Sequence, residues 1–228
     1  MIHVLETSRL LRRGGVGLLA AASILGATAS IAGAASATDP TQFSVTAGAL
    51  AFSTTPALPA LGAVTLNGAA QTTNSTMTPI GVNDASGAAA GWNVTVIGDT
   101  AAGKSPVFAQ YCLGPAVCGA DAASSYVPAG ASLPADSLNL NSTGAGFTAG
   151  GGSTGTAPTH QCDTGVCPID AASATKVIAA AAGGGMGTYT TNTYSAASLP
   201  LVTPSTLKAL PTNEVYRADV VWTLTSGP

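Results

Sequence analysis

The stretch Tyr216-Arg217-Ala218-Asp219-Val220-Val221-Trp222-Thr223-Leu224-Thr225-Ser226-Gly227-Pro228 decides how the rest of the chain is read. Tyr216, Ala218, Val220, Trp222 and Leu224 fall on one face of an extended segment. Arg217, Asp219, Thr223 and Thr225 fall on the other, with Val221 as the one apolar exception. Successive side chains of a strand point to opposite faces, so this period of two predicts a half-buried strand. Gly227-Pro228 ends it, because proline brings no N–H to a ladder. A strand needs a partner. Gly91-Trp92-Asn93-Val94-Thr95-Val96-Ile97 repeats the pattern, with Trp92, Val94 and Val96 on one face and Asn93 and Thr95 on the other. The two tryptophans of the protein sit in these two segments, which are expected to pair.

Working outward, the same period recurs in short pieces. Thr41 to Ser53 reads as the first strands, with Phe43 and Val45 alternating against Ser44 and Thr46, and Gly48 breaking the run. Leu61 to Leu66 is a strand candidate, and a polar stretch runs from there through Thr76. Pro79 to Gly87 reads as a strand closing in a turn at Asp84 and Gly87. It leads by Ala88 to Ala90 into the Trp92 strand, as a hairpin with a longer loop. Residues 100–173 read as a flexible, Gly-rich, cysteine-bearing insert, with a strand at Ser132 to Leu140 that turns Leu138 and Leu140 inward. Thr143 to Thr159 is low-complexity and reads as a loop. Lys176 to Ala182 is ambiguous between helix and strand. Thr188 to Tyr194, Ser198 to Val202 and Thr206 to Leu210 are short apolar or alternating pieces. Many short strands with frequent turn residues predict an all-β domain, a single β-sandwich or barrel-like fold of short antiparallel strands.

Charge narrows the function classes. Four basic and nine acidic residues follow Ala37, a net charge of −5. So few cations cannot neutralise a run of phosphates, which argues against nucleic acid and anionic membranes as partners. Residues 1–37 read as a secretory signal peptide: Arg9, Arg12 and Arg13 form a basic start, Val16 to Ile31 an apolar run, and Ala35-Ser36-Ala37 a small-x-small cleavage site. The remaining 38–228 form one domain. No later run approaches the ~20 apolar residues of a membrane helix, so no membrane insertion of the mature chain is expected.

The four cysteines form two close pairs, Cys112 with Cys118 and Cys162 with Cys167. In an exported chain an even count predicts disulfides. Three pairings exist, and the two local ones are favoured because each bracket holds a glycine that lets the loop close. A zinc site built from His160, Cys162 and Cys167 is the weighed alternative and is set aside, as is any cofactor. His160 is the one histidine after Ala37. It lies in a Gly-rich stretch, a poor platform for a Ser-His-Asp arrangement. The acidic residues are scattered among turns, and no enzyme is expected. Gly150 to Gly155 matches a dinucleotide fingerprint in spacing alone, with no strand before it and no helix after it. Trp92 and Trp222 read first as core anchors, with Val94, Val96, Val220 and Leu224 on the same face. The competing reading is an aromatic surface that stacks on sugar rings, for which Tyr189, Tyr194 and Tyr216 are also candidates.

These residues resemble a known family. Gly91-Trp92-Asn93-Val94-Thr95-Val96 and Val221-Trp222-Thr223-Leu224 look like the two tryptophan motifs of the WxL domain of Gram-positive surface proteins, especially its actinobacterial relatives. Asp84-Ala85-Ser86-Gly87 before Gly91-Trp92 is similar to the family's turn, and Phe43 to Leu50 to its opening strand. Two departures stand out: the first motif is Trp-Asn-Val rather than Trp-x-Leu, and the cysteine-bearing middle is not a usual family feature. The resemblance implies a secreted protein held non-covalently on the cell wall through peptidoglycan or another wall glycan. It also implies complexes with other WxL-type surface proteins. The motif positions Trp92, Asn93, Val94, Tyr216, Trp222, Thr223 and Leu224 are then the candidate binding residues. The alternative is a structural subunit that assembles with itself or with other secreted proteins.

Overall fold

Short strands dominate because 28 glycines and 14 prolines interrupt every run before it can lengthen. The computed structural model describes residues 40–114, 118–121, 124–165 and 167–228. The segment read as a signal peptide lies outside them. By contacts the chain divides into residues 1–44 and 45–228. Of the first unit, residues 40–44 are described; they carry no regular structure and are exposed.

The second unit holds fourteen strands and no helix among the described residues. They are β1 (Leu50–Thr54), β2 (Gln71–Ser75), β3 (Gly81–Asp84), β4 (Trp92–Gly98), β5 (Ala109–Cys112), β6 (Asn139–Leu140) and β7 (Phe147–Ala149). There follow β8 (Thr159–His160), β9 (Cys167–Pro168), β10 (Thr175–Ala180), β11 (Gly187–Thr191), β12 (Leu199–Thr203), β13 (Glu214–Arg217) and β14 (Val220–Ser226). Every pairing is antiparallel. Two four-stranded sheets, β1-β3-β11-β7 and β14-β4-β10-β8, are joined by three two-stranded ribbons, and none closes into a barrel. The fold is therefore all-β, as the alternation predicted.

The β14-β4-β10 ladder organises the core. Trp222 stands opposite Val96, Leu224 opposite Val94 and Ser226 opposite Trp92. On its other side β4 pairs with β10, setting Ile178 opposite Val94 and Ala180 opposite Trp92. A central strand flanked on both sides buries one whole face, and Trp92, Val94 and Val96 are at most 1% exposed. The register shifts between Lys176 and Ile178. That bulge gives β10 one extra residue, so the consecutive Val177 and Ile178 both reach the core. Val82 of β3, and Phe52 and Phe147 from its sheet, join the same apolar cluster, which makes the two sheets layers over one core.

Several segments depart from the sequence reading. Asp84, Ser86 and Gly87 do form a turn: the Asp84 carboxylate accepts from the Ser86 N–H at 3.0 Å and hydroxyl at 2.6 Å, and Gly87 has φ +67°. The strands either side of it are no hairpin, however. β3 belongs to one sheet and β4 to the other. The long alternating C-terminal segment is two strands: β13 pairs with β5 and β14 with β4. Between them the Asp219 N–H donates to Ser105 O and its carbonyl accepts from Asp99 N–H, both at 2.8 Å. Residues 41–49 and 61–66 form no strand, while the polar Gln71–Ser75 does, as the partner of β12. Lys176 to Ala182 resolves as strand, ending at Ala180. The region 100–173, read as an insert, is built into the domain: it supplies β5 to β9 and the buried Leu133, Leu138, Leu140 and Ile169. Both local disulfides are present, Cys112–Cys118 and Cys162–Cys167.

Candidate functional site

The tryptophan strands come together, and their two tryptophans do different things. Trp92 lies fully within the core. Its indole Nε1–H donates to the Gly185 carbonyl at 3.0 Å, which satisfies the one polar atom of the ring. Gly185 has φ +67°, and a Cβ there would stand 2.6 Å from Trp92 Nε1, so the turn and the ring are fitted to each other. Trp222 is on the same sheet face but on the edge strand, where it is half-buried. Four residues of offset along the ladder separate the two rings by roughly 13 Å. They do not form one stacking platform. Val94 and Leu224 pack between them.

The opposite face of the same ladder meets solvent. Thr223 faces Thr95, Thr225 faces Asn93 and Val221 faces Ile97. Val221, Thr223 and Thr225 are exposed. Asn93 is tied inward to the chain end: its amide donates to the Gly227 carbonyl at 2.8 Å, and the Gly227 N–H donates to Gly91 O at 2.9 Å. Tyr216 stands apart from both tryptophans on β13, half-buried, with its hydroxyl donating to Lys208 O at 3.0 Å. Tyr189 and Tyr194, the other tyrosines proposed for a surface, are buried.

Tyr216 instead lines a groove of about 870 Å³, near the top of the ~300–1,000 Å³ range of ligand pockets. Leu58, Leu61, Phe108, Leu133 and Leu207 form its apolar walls, and Lys208, Glu214 and Arg217 supply charge. The sequence hid this site because most of its leucines come from residues 57–66 and 204–213, which form no strand although Leu61 to Leu66 reads as one, and they converge only through packing. Beside it a polar cluster fixes β13 to its neighbours. The Tyr126 hydroxyl donates to Asp219 Oδ2 at 2.6 Å, and Arg217 reaches Asp219 Oδ1 at 2.9 Å. Arg217 also lies 4.6 Å over the Tyr111 ring, which meets Tyr126 edge-on at 5.0 Å. Burial works against the Asp219 charge, but the Tyr126 and Arg217 hydrogen bonds outweigh it and hold the carboxyl below its ordinary range.

Asp170 and His160 are among the titratable groups buried in the core. Asp170 is fully buried. Its oxygens accept from the backbone N–H groups of Ser137 and Leu138 at 3.1 Å each, which ties β6 to the loop after β9. Burial raises its carboxyl to about 6 in spite of those donors. His160 is stacked on Phe147 with centroids 4.5 Å apart and meets Tyr194 edge-on at 5.7 Å. Neither ring nitrogen reaches a partner at normal hydrogen-bond geometry among the described residues. Burial lowers its pKa, with the Gly146 carbonyl opposing weakly. Cys112, Cys118 and Glu214 cluster within 4.8 Å, but the two sulfurs are spent on each other. The sulfurs of Cys162 and Cys167 are likewise bonded, so neither is a thiolate for a zinc site with His160.

Comparison with family models, with curated proteins and with solved structures finds no match for this chain.

Proposed function

We propose that the protein is a secreted cell-surface protein that attaches non-covalently to the bacterial cell wall, binding peptidoglycan or another wall glycan, and that it is no enzyme. The observation that carries this reading is the pairing of β4 with β14. The two segments that resemble the WxL motifs are hydrogen-bonded neighbours in one ladder rather than unrelated strands. Their solvent face presents Thr223 and Thr225 hydroxyls, and Trp222 at the sheet edge keeps part of its ring in water. Hydroxyls and a ring edge suit a sugar, which offers hydroxyls and apolar C–H faces. His160 and Asp170 sit in the core, and the shifted groups that line the groove, Tyr216 and Arg217, are engaged with Lys208 O and Asp219, which favours binding over catalysis.

Binding of this kind depends little on salt, because few charges take part. Purified protein mixed with isolated cell walls is expected to sediment with them at both low and high ionic strength. Trp222→Ala combined with Thr223→Ala should weaken retention. Protein left in the supernatant over walls at either salt level would sink the reading. A second reading is a structural subunit that assembles with itself or with other WxL-type secreted proteins. The exposed, strand-like segment at residues 40–47 favours it.

A further inference from the structure

Phe43-Ser44-Val45-Thr46 has the alternation and composition of a strand, yet it is assigned to no strand. Residues 40–47 are exposed throughout, Phe43 at 90% and Val45 at 82%. No other large hydrophobic among the described residues is so open. The chain becomes fixed at Gly48, whose N–H donates to Ala85 O at 2.9 Å, while Ala85 N–H donates to Ala49 O at 3.2 Å. A Cβ at Gly48 would meet that of Ala85 at 2.7 Å, so the point where the arm departs is held close against the link between β3 and β4.

The groove beside β13 has the complementary properties. It is walled by leucines, and its rim residues Leu66 and Leu113 are 45% and 65% exposed. β13 pairs with β5 on one side, and no strand flanks its other edge among the described residues. An added strand would find backbone groups there and apolar slots for alternate side chains. Phe43 and Val45, two residues apart, present such side chains roughly 7 Å from each other on one face of an extended arm. Residues 40–47 carry no charge, so nothing ionic opposes their entry along the leucine-lined wall.

We infer that residues 40–47 are the ligand of this groove in a second copy of the chain, each molecule donating its arm as a strand to the next. The contact joins two different surfaces, so it is head-to-tail and propagates into rings or filaments rather than stopping at a symmetric pair. It can be tested apart from wall binding, since the groove lining includes none of Val221, Thr223 and Thr225.

Light scattering of the purified protein over a range of concentrations tests this. The wild-type mass is expected to rise above that of one chain. Phe43→Asp with Val45→Asp removes the arm, and Leu66→Asp with Leu113→Asp closes the groove. Each variant should remain at the mass of one chain with its melting temperature unchanged. Mixed in equal amounts, the two variants should double in mass and go no further, because each pair then holds one intact arm and one intact groove. A wild type that stays a single chain at millimolar concentration overturns the inference. So does an oligomer that survives the arm substitutions, or a mixture that fails to associate. A fall in the melting temperature of the arm variant while it is a single chain would also overturn it, by placing the arm within its own molecule.

Discussion

Trp92 and Trp222 sit in matching contexts in the sequence and in unequal ones in the fold. Both alternate with valine or leucine on an apolar face, and the prediction that they pack on the core holds for both. Only the sheet order separates them: β4 is flanked on both sides and β14 on one. Trp92→Ala should therefore cost about 3–5 kcal/mol, the usual range for removing a fully buried large aromatic. Trp222→Ala leaves a side chain already half in water and should cost roughly half as much. Urea unfolding midpoints of the two variants check this, and equal losses would contradict it. The sequence could not have identified the Nε1–H bond of Trp92 to Gly185, because Gly185 reaches the ring through tertiary packing across 93 positions. Asp170 and His160 were equally illegible. Nothing in their neighbours distinguishes an aspartate that holds two backbone N–H groups in the core from a solvated turn carboxylate.

At the scale of elements, alternation was a good guide to strands with a buried face and a poor guide to the rest. β4 and β14 follow it, whereas in β6 both Asn139 and Leu140 are buried. β2, Gln71-Thr72-Thr73-Asn74-Ser75, has no apolar alternation and is a strand because β12 lies beside it with five paired positions. Residues 41–47 have the alternation and no partner among the described strands. The break at Ala218-Asp219 escaped because Asp219 keeps the polar phase of the pattern while its backbone leaves the β14 ladder for Ser105. These differences should appear in amide hydrogen exchange. The amides of β4, bonded between β14 and β10, are expected to exchange slowest, near the rate set by global unfolding. Those of residues 41–47 in the free single chain should exchange almost as fast as an unfolded peptide. Strong protection of the arm at low concentration would contradict an arm without a strand partner.

For the whole molecule, the buried ionisable groups set how stability changes with pH. The Asp170 carboxyl is raised to about 6 from an ordinary 3.8, so the folded state keeps this proton to higher pH than the unfolded chain does. Its contribution is fully present below pH 3.8 and is lost as pH rises through 6, amounting to at most about 3 kcal/mol. His160 acts in the opposite sense. Its folded pKa lies below the ordinary 6.5, so its contribution is present above 6.5 and is lost as pH falls through the folded value. Asp219, held below 3.8, adds a further loss only in stronger acid. Asp170→Asn should thus melt at a steadily lower temperature between pH 7 and 4. A His160→Phe variant, which keeps an aromatic ring against Phe147, should gain stability over the same range. Parallel pH profiles for wild type and both variants would refute the assignment. The sequence by itself determined the all-β class, because period-two patterning is encoded locally; it favoured the β4–β14 pairing and the two local disulfides over their alternatives, and the fold supplied the choice. Tertiary structure alone decided which sheet each strand joins, which tryptophan is enclosed, and that leucines from strandless segments wall a groove beside Tyr216. Those outcomes depend on which faces meet across long separations, and burial belongs to the packed whole rather than to any window of the chain.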